Sequence, residues 1–121
     1  MTGHRIMVID DENIVGKMLK AVLEQDGYEV ETFLSADPAL TRLKEEKFDV
    51  VITDYKMKGI DGMEVLQRVK KDCPATKVIM ITAFASLDAA VEALREKVDD
   101  FFPKPVKIKD LKACIERLLN A

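Results

Sequence analysis

The stretch Val50-Val51-Ile52-Thr53-Asp54 decides the fold of this 121-residue chain. Its β-branched residues form an apolar run with no polar alternate face, which is typical of a strand buried on both sides of a parallel sheet. In an open parallel sheet, ligands bind outside the carboxyl ends of the strands. Asp54 lies at such an end and is the first candidate site residue. For an isolated Asp after an apolar run, capping of the next loop is the alternative role.

Strand and helix patterns alternate along the whole chain on both sides of this stretch. Short apolar or alternating runs predict strands at residues 5–9, 29–33, 50–54, 78–81 and 101–102. Helical spacing of apolar residues predicts helices over 14–23, from 37, over 63–72, from 86 or 88, and over 108–119. Asp37 is expected as the N-cap of the second helix, with Pro38 at its first helical position.

Regular strand–helix alternation favours one parallel sheet with helices on both faces and right-handed crossovers. Half of a (β/α)8 barrel is the competing architecture, but it would leave strand edges whose backbone hydrogen-bonding groups are unpaired. We therefore predict a single α/β domain over residues 1–121. Its fold is a doubly wound, five-stranded, flavodoxin-like sheet of order 2-1-3-4-5 with five helices.

Composition excludes several classes of function. The net charge of −3 gives no electrostatic footprint for nucleic acid. No apolar run approaches the roughly 20 residues of a membrane span, and the N-terminus lacks the apolar region of a signal peptide. Cys73 and Cys114 fit no metal-ligand spacing. We expect a cytoplasmic protein with two reduced thiols and no zinc site, nucleic acid partner or membrane partner.

Polar side chains end four of the five predicted strands. Asp10 and Asp11 follow the first strand, Asp54 ends the third, Thr82 ends the fourth and Lys104 follows the fifth. Each of them alone has an ordinary structural role, such as a cap, a strand end or a solvated lysine. Their joint placement is hard to obtain by chance, because the predicted strand order brings all of these side chains to one rim of the sheet.

The chemistry of that group can be derived from its residue types. Clustered carboxylates repel one another unless a cation is present, and oxygen ligands without His or Cys suit Mg2+. A carboxylate beside Mg2+, a hydroxyl and an ammonium is a phosphoryl-transfer site. In this hypothesis one carboxylate is the nucleophile and forms an acyl phosphate. Thr82 donates a hydrogen bond to a phosphoryl oxygen, and Lys104 neutralises its charge.

The set of motifs resembles the receiver domain of two-component response regulators over the whole chain. The motifs are Asp10-Asp11, Asp54, Asp61-Gly62, Thr82-Ala83 and Lys104-Pro105. The resemblance implies a signalling module that catalyses only its own phosphorylation and dephosphorylation. Its implied partners are a sensor histidine kinase or phosphotransfer protein and a downstream output domain or protein.

The resemblance also implies a role for individual residues. Asp54 is the implied phosphoacceptor. Asp11, Asp54 and the backbone carbonyl of Lys56 are the implied Mg2+ ligands, with Asp10 acting through water. The implied switch pair is Thr82 with Phe101, and the implied route of the signal is helix four, strand five and helix five, a face that can also serve for dimerisation. The bond between Lys104 and Pro105 is expected to be cis.

The chain departs from the family pattern at two positions. Lys58-Gly59 stands where the family often has Pro-Gly. Lys97-Val98 stands where the family often has Gly-Ala, so that Lys97 must either end the fourth helix in another way or carry some strain.

Three other functions compete with the signalling module. A phosphatase with an Asp nucleophile would need a second acid two residues later, where this chain has Lys56. A receiver-like scaffold that is never phosphorylated does not need the intact set of acid, hydroxyl and lysine. A flavodoxin-like cofactor binder needs a phosphate loop after the first strand, where Asp10-Asp11-Glu12 would repel a phosphate.

Overall fold

The computed structural model describes residues 3–83, 92–93 and 95–120. Its five strands form one parallel sheet in the order β2-β1-β3-β4-β5, which confirms the predicted topology. In chain order the elements are β1 Arg5–Ile9, α1 Asn13–Glu24, β2 Glu29–Phe33, α2 Ala36–Glu45, β3 Val50–Asp54, α3 Gly62–Asp72, β4 Lys77–Thr82, β5 Asp100–Pro103 and the C-terminal helix α4 Ile108–Leu119.

The sheet carries a separate apolar core on each face. Successive side chains of a strand point to opposite faces, so that Val51 joins one core and Ile52 the other. The first core is closed by α2 and α3, and the second by α1 and α4. Every residue of β3 is buried, as expected for the central strand of a sheet that is covered on both sides.

The second helix begins earlier than the sequence predicted. The N-cap is Ser35 and the first helical residue is Ala36, so the prediction of Asp37 as N-cap was wrong. Pro38 instead lies at the third helical position. The amides of the first turn have no intrahelical acceptor, so proline costs no hydrogen bond there. Asp37 remains favourable in that turn because its charge complements the positive end of the helix dipole.

Most of the predicted fourth helix lies outside the described residues, including Ser86, Leu87, Asp88, Ala90, Val91 and Leu94. Residues 92, 93 and 95 are helical. Lys97 then adopts a left-handed backbone with φ of 65°, and the amide of Val98 donates to the carbonyl of Ala93 at 3.0 Å. This is the helix ending that usually places glycine at the left-handed position. Of the two possibilities raised by the sequence, Lys97 therefore takes the strained one.

Within the part of the chain that the structure describes, none of the helices has the length and apolar character of a membrane span.

We expect Lys97→Gly to raise the free energy of unfolding by about 1 kcal/mol, because glycine adopts the left-handed region without the Cβ penalty. Urea denaturation at neutral pH measures the difference. Lys47→Gly is the matched control, because Lys47 is an exposed loop lysine whose φ is not positive. There glycine only adds freedom to the unfolded chain, and stability should fall slightly. Equal effects at both positions would contradict the assignment of strain to Lys97.

Candidate functional site

The carboxyl edge of the sheet gathers the polar strand ends that the sequence predicted. Asp10 directly follows β1, and its amide donates to the carbonyl of Phe33 in the neighbouring strand at 3.0 Å. Asp54 and Thr82 are the last residues of β3 and β4. Lys104 directly follows β5, and its amide donates to the carbonyl of Thr82 at 2.8 Å. Backbone pairing of adjacent strands therefore places the Cα atoms of these residues at the same edge of the sheet.

The ammonium group of Lys104 is the centre of the site. Its Nζ lies 2.9 Å from Asp10 Oδ2, 2.9 Å from Glu12 Oε1 and 3.2 Å from Asp54 Oδ2. Burial alone would lower the pKa of Lys104, but its contacts with the three carboxylates outweigh burial and raise the pKa. Lys104 consequently stays protonated and carries a fixed positive charge.

Asp54 is a carboxylate held in an unfavourable environment. Burial raises its pKa first, and the nearby charge of Asp10 raises it further, while the hydrogen bond from Lys104 opposes both effects. The net direction is upward, so the anionic form of Asp54 is less stable here than in water. A perturbed acid beside a specific charged partner is typical of a functional site.

Asp10 holds a buried oxygen with incomplete hydrogen bonding. Its Oδ1 accepts the amide of Glu12 at 2.8 Å. Its Oδ2 is buried, and the contact with Lys104 is an ion pair without hydrogen-bond geometry. Carboxylate oxygens of Asp10, Glu12 and Asp54 all lie within 4.8 Å of one another. A set of hard oxygen donors that includes an unsatisfied buried carboxylate oxygen fits a divalent cation such as Mg2+.

Two of the acids expected to act at the Mg2+ site lie together in the structure. Asp10 and Asp54 belong to the close group, whereas Asp11 is exposed and is not among its three acids. The side chain of Lys56 is exposed, and its Nζ lies 5.5 Å from the centre of the Tyr55 ring. The expected ligand from Lys56 is its backbone carbonyl, which stays a prediction. Glu12 occupies the third place in the group. It was not predicted as a site residue, although it continues the same acidic run as Asp10 and Asp11.

Comparison with known proteins decides the family. A family model described as the response regulator receiver domain matches residues 6–116. This chain belongs to that family. The receiver is 36% identical over 114 residues to the transcriptional regulatory protein ZraR of Escherichia coli (strain K12), covering 94% of this chain and 26% of that protein. The chain thus spans about a quarter of the length of the curated relatives it matches.

Solved receiver structures have the same fold. A CheY-like response regulator receiver domain protein from Methanospirillum hungatei JF-1 has a TM-score of 0.94 and 34% identity, and the match covers 98% of this chain and 94% of that one. The beryllofluoride-activated receiver domain dimer of NtrC4 has a TM-score of 0.89 and 32% identity, with 94% of each chain covered. Family membership assigns this receiver to phosphorylation-dependent two-component signalling and identifies it as a signalling module.

The residues implied as a switch pair lie on adjacent strands of the receiver. Thr82 is fully buried at the end of β4. Phe101 is half-buried in β5, opposite Met80 in the strand register, and packs against the core that contains Met80. The peptide bond between Lys104 and Pro105, in the loop that follows β5, is cis.

The start of α3 is packed directly against the backbone of Asp54. The side chain of Asp61 caps the helix by accepting the amide of Glu64 at 3.1 Å, and the amide of Gly62 donates to the carbonyl of Tyr55 at 2.9 Å. A Cβ on Gly62 would overlap the carbonyl oxygen of Asp54 and would lie 2.9 Å from the Cα of Tyr55. The absence of a side chain at Gly62 therefore lets α3 approach the strand end that carries Asp54.

Gly62→Ala should destabilise the receiver by about 1–3 kcal/mol, because the added methyl meets rigid backbone atoms that cannot move aside. Gly16→Ala is a matched control within α1, where the added Cβ would make only ordinary contacts of 3.5 Å with Thr32. That change should be neutral or stabilising, since alanine is the better helix former. Thermal and urea unfolding of the two variants test this, and a Gly62→Ala protein as stable as Gly16→Ala would contradict the packing argument.

Proposed function

We propose that Asp54 accepts a phosphoryl group from a sensor histidine kinase or a phosphotransfer protein, in a reaction that requires Mg2+. The observation that carries this proposal is the contact of the buried Asp54 with the protonated Lys104, within a close group of three acids at the rim of the sheet. We further propose that the phosphorylated receiver acts on a downstream output domain or protein. The curated relatives, which are about four times longer than this chain and are transcriptional regulators, support that part of the proposal.

The chemical step is a transfer between two nucleophiles. A carboxylate oxygen of Asp54 supplies the electron pair that forms the new bond to phosphorus. The bond from phosphorus to the donor nitrogen breaks, and its electron pair returns to the imidazole of the donor histidine. The ammonium of Lys104 donates to the phosphoryl oxygens and offsets their charge. The hydroxyl of Thr82, which starts from the adjacent strand end, is the second proposed donor to those oxygens.

The donor set fits Mg2+ by its chemistry. As the family resemblance implies, Asp11, Asp54 and the backbone carbonyl of Lys56 would hold the ion, with Asp10 acting through water. Glu12 lies in the same close group of acids as Asp10 and Asp54. When bound, Mg2+ supplies positive charge that relieves repulsion among the carboxylates and the phosphoryl oxygens. The protein's own part is to keep the acids in place and to keep Lys104 protonated beside them.

Asp54→Asn should abolish labelling by a small acyl phosphate such as acetyl phosphate, because an amide cannot act as the nucleophile. The parent should gain the mass of one phosphoryl group in Mg2+ and none in excess chelator. Asp72→Asn, at the far end of α3, is the control and should be labelled like the parent. Intact-protein mass spectrometry reports all three results. Equal labelling of Asp54→Asn would show that another residue is the acceptor.

A phosphatase acting on external substrates is less well supported than a signalling switch. The position two residues after Asp54 holds Lys56, whose side chain is exposed and lies over the ring of Tyr55. Such an enzyme uses a second acid at this position as its acid and base, and the chain has a lysine there instead. The intact set of acid, hydroxyl and lysine likewise favours phosphorylation over a scaffold that is never modified.

We propose that the signal leaves through Thr82, Phe101 and the face that contains β5 and the C-terminal helix α4. The sequence adds the predicted fourth helix to this face, and most of that helix lies outside the described residues. A switch requires a ligand that makes different contacts in two arrangements. Thr82 drawn toward a phosphoryl oxygen would vacate space that Phe101 can fill. The same face is the proposed surface for a dimer, which the activated dimer of the similar NtrC4 receiver supports.

Thr82→Ala should still bind beryllofluoride at Asp54 but should transmit less of the change to β5 and α4. In NMR spectra, the amide shifts of these two elements should move less on activation than in the parent. Thr82→Ser retains the hydroxyl and serves as the matched control, with shifts close to those of the parent. An unchanged response of β5 and α4 in Thr82→Ala would count against this route.

A further inference from the structure

We propose that Glu12 is a positioning residue that holds the ammonium of Lys104 in the resting receiver and competes with the phosphoryl group for it. The inference rests on the proposed phosphorylation of Asp54. It concerns a residue outside the set that the sequence motifs identify. Glu12 would act as a brake on activation through Lys104, rather than touching the reacting atoms.

The first step of the argument is the number of partners around Lys104. An ammonium group has three protons and no acceptor. Its three carboxylate partners, Asp10, Glu12 and Asp54, lie between 2.9 and 3.2 Å from Nζ. A phosphoryl group on Asp54 brings new anionic oxygens to the same place. Lys104 donates hydrogen bonds to Glu12 and Asp54, and its contact with Asp10 is an ion pair without hydrogen-bond geometry. New phosphoryl oxygens at this place therefore compete with these partners for the protons of Lys104.

The second step is which partner gives way. The Glu12 side chain is 58% exposed, whereas those of Asp10 and Asp54 are 0% and 7% exposed. A buried carboxylate that loses its cation is left uncompensated in a medium of low dielectric constant, while an exposed one is solvated by water. Asp10 is also fixed by the hydrogen bond from the Glu12 amide to its Oδ1. The Glu12 side chain is therefore the partner that leaves at the smallest cost.

The third step is a pair of opposite consequences. Neutralising Glu12 removes a competitor for Lys104 and should strengthen binding of an anionic phosphoryl analogue. It also removes one negative charge from the group of acids whose oxygens lie within 4.8 Å of one another, so it should weaken the binding of Mg2+. General damage to the site would weaken the binding of both the phosphoryl analogue and Mg2+. An increase for the anion together with a decrease for the cation is therefore specific to the proposed competition.

The experiment compares the parent with Glu12→Gln, Glu12→Asp and the control Glu24→Gln. Glu24 is a half-exposed acid at the end of α1, and its Oε2 lies 3.8 Å from Nζ of Lys20. Its replacement by Gln changes the net charge of the protein by the same amount as Glu12→Gln does. Amide NMR titrations give the Mg2+ affinity first, and then the beryllofluoride affinity at saturating Mg2+. We expect Glu12→Gln to bind beryllofluoride about two- to fivefold more tightly, the range that an exposed ion pair can account for, and to bind Mg2+ more weakly.

The other variants separate contact from charge. Glu12→Asp keeps the charge but is one methylene too short for the present contact, so it should also bind beryllofluoride more tightly than the parent. Glu24→Gln should match the parent for both ligands. If Glu12→Gln bound beryllofluoride no more tightly than the parent, the inference would be overturned, and weaker binding of both ligands would make Glu12 a cation ligand instead. A parent that does not respond to beryllofluoride at all would contradict the phosphorylation of Asp54, which is a different failure.

Discussion

The ion-pair group around Lys104 is the interaction on which the site depends. Two carboxylates, Asp10 and Asp54, are buried side by side at the end of a parallel sheet, where their charges repel each other. Taking a carboxylate out of water costs several kcal/mol unless a positive charge compensates it. Lys104 supplies that charge from the far side of the site, on the loop after the last strand. Without it, the neighbouring strand ends would bring together two acids that favour separation.

The same group of charges lowers the folding stability of the protein while it provides a site for a charged ligand. The pKa of Asp54 is raised, so its ionised form costs folding free energy once the pH rises above the carboxyl pKa of the unfolded chain. The cost is complete above the raised pKa of the folded state, which is the condition under which the site would work. A cation bound to the folded state alone offsets such a cost through its binding free energy. The acids are therefore understandable as a site for a charged ligand and not as a stabilising feature of the fold.

Sequence reasoning was most successful where the backbone determines position. The apolar run that ends at Asp54 predicted the central strand with its correct bounds, and the strand order followed from regular alternation. Because the carboxyl ends of parallel strands lie at one edge of the sheet, the strand order alone places Asp10, Thr82 and Lys104 near Asp54. Hydrophobic periodicity could not fix the start of α2, because Pro38 is tolerated anywhere in a first turn. At Lys97 the residue type was misleading in another way, because the helix ends in the left-handed conformation that usually requires glycine.

Side-chain direction was the part that the sequence could not supply. In the run Asp10-Asp11-Glu12, all three residues are acids on one short loop, and the local backbone together with the side-chain rotamers decides which of them face Lys104. The amide of Glu12 closes a tight turn onto Asp10 Oδ1, and that turn brings the Glu12 carboxylate to the ammonium while Asp11 faces solvent. A rule based on residue type treats the three acids alike. The structure separates them by position and burial: Asp10 is buried against Lys104, Glu12 reaches Lys104 from an exposed position, and Asp11 is exposed and lies outside the close group.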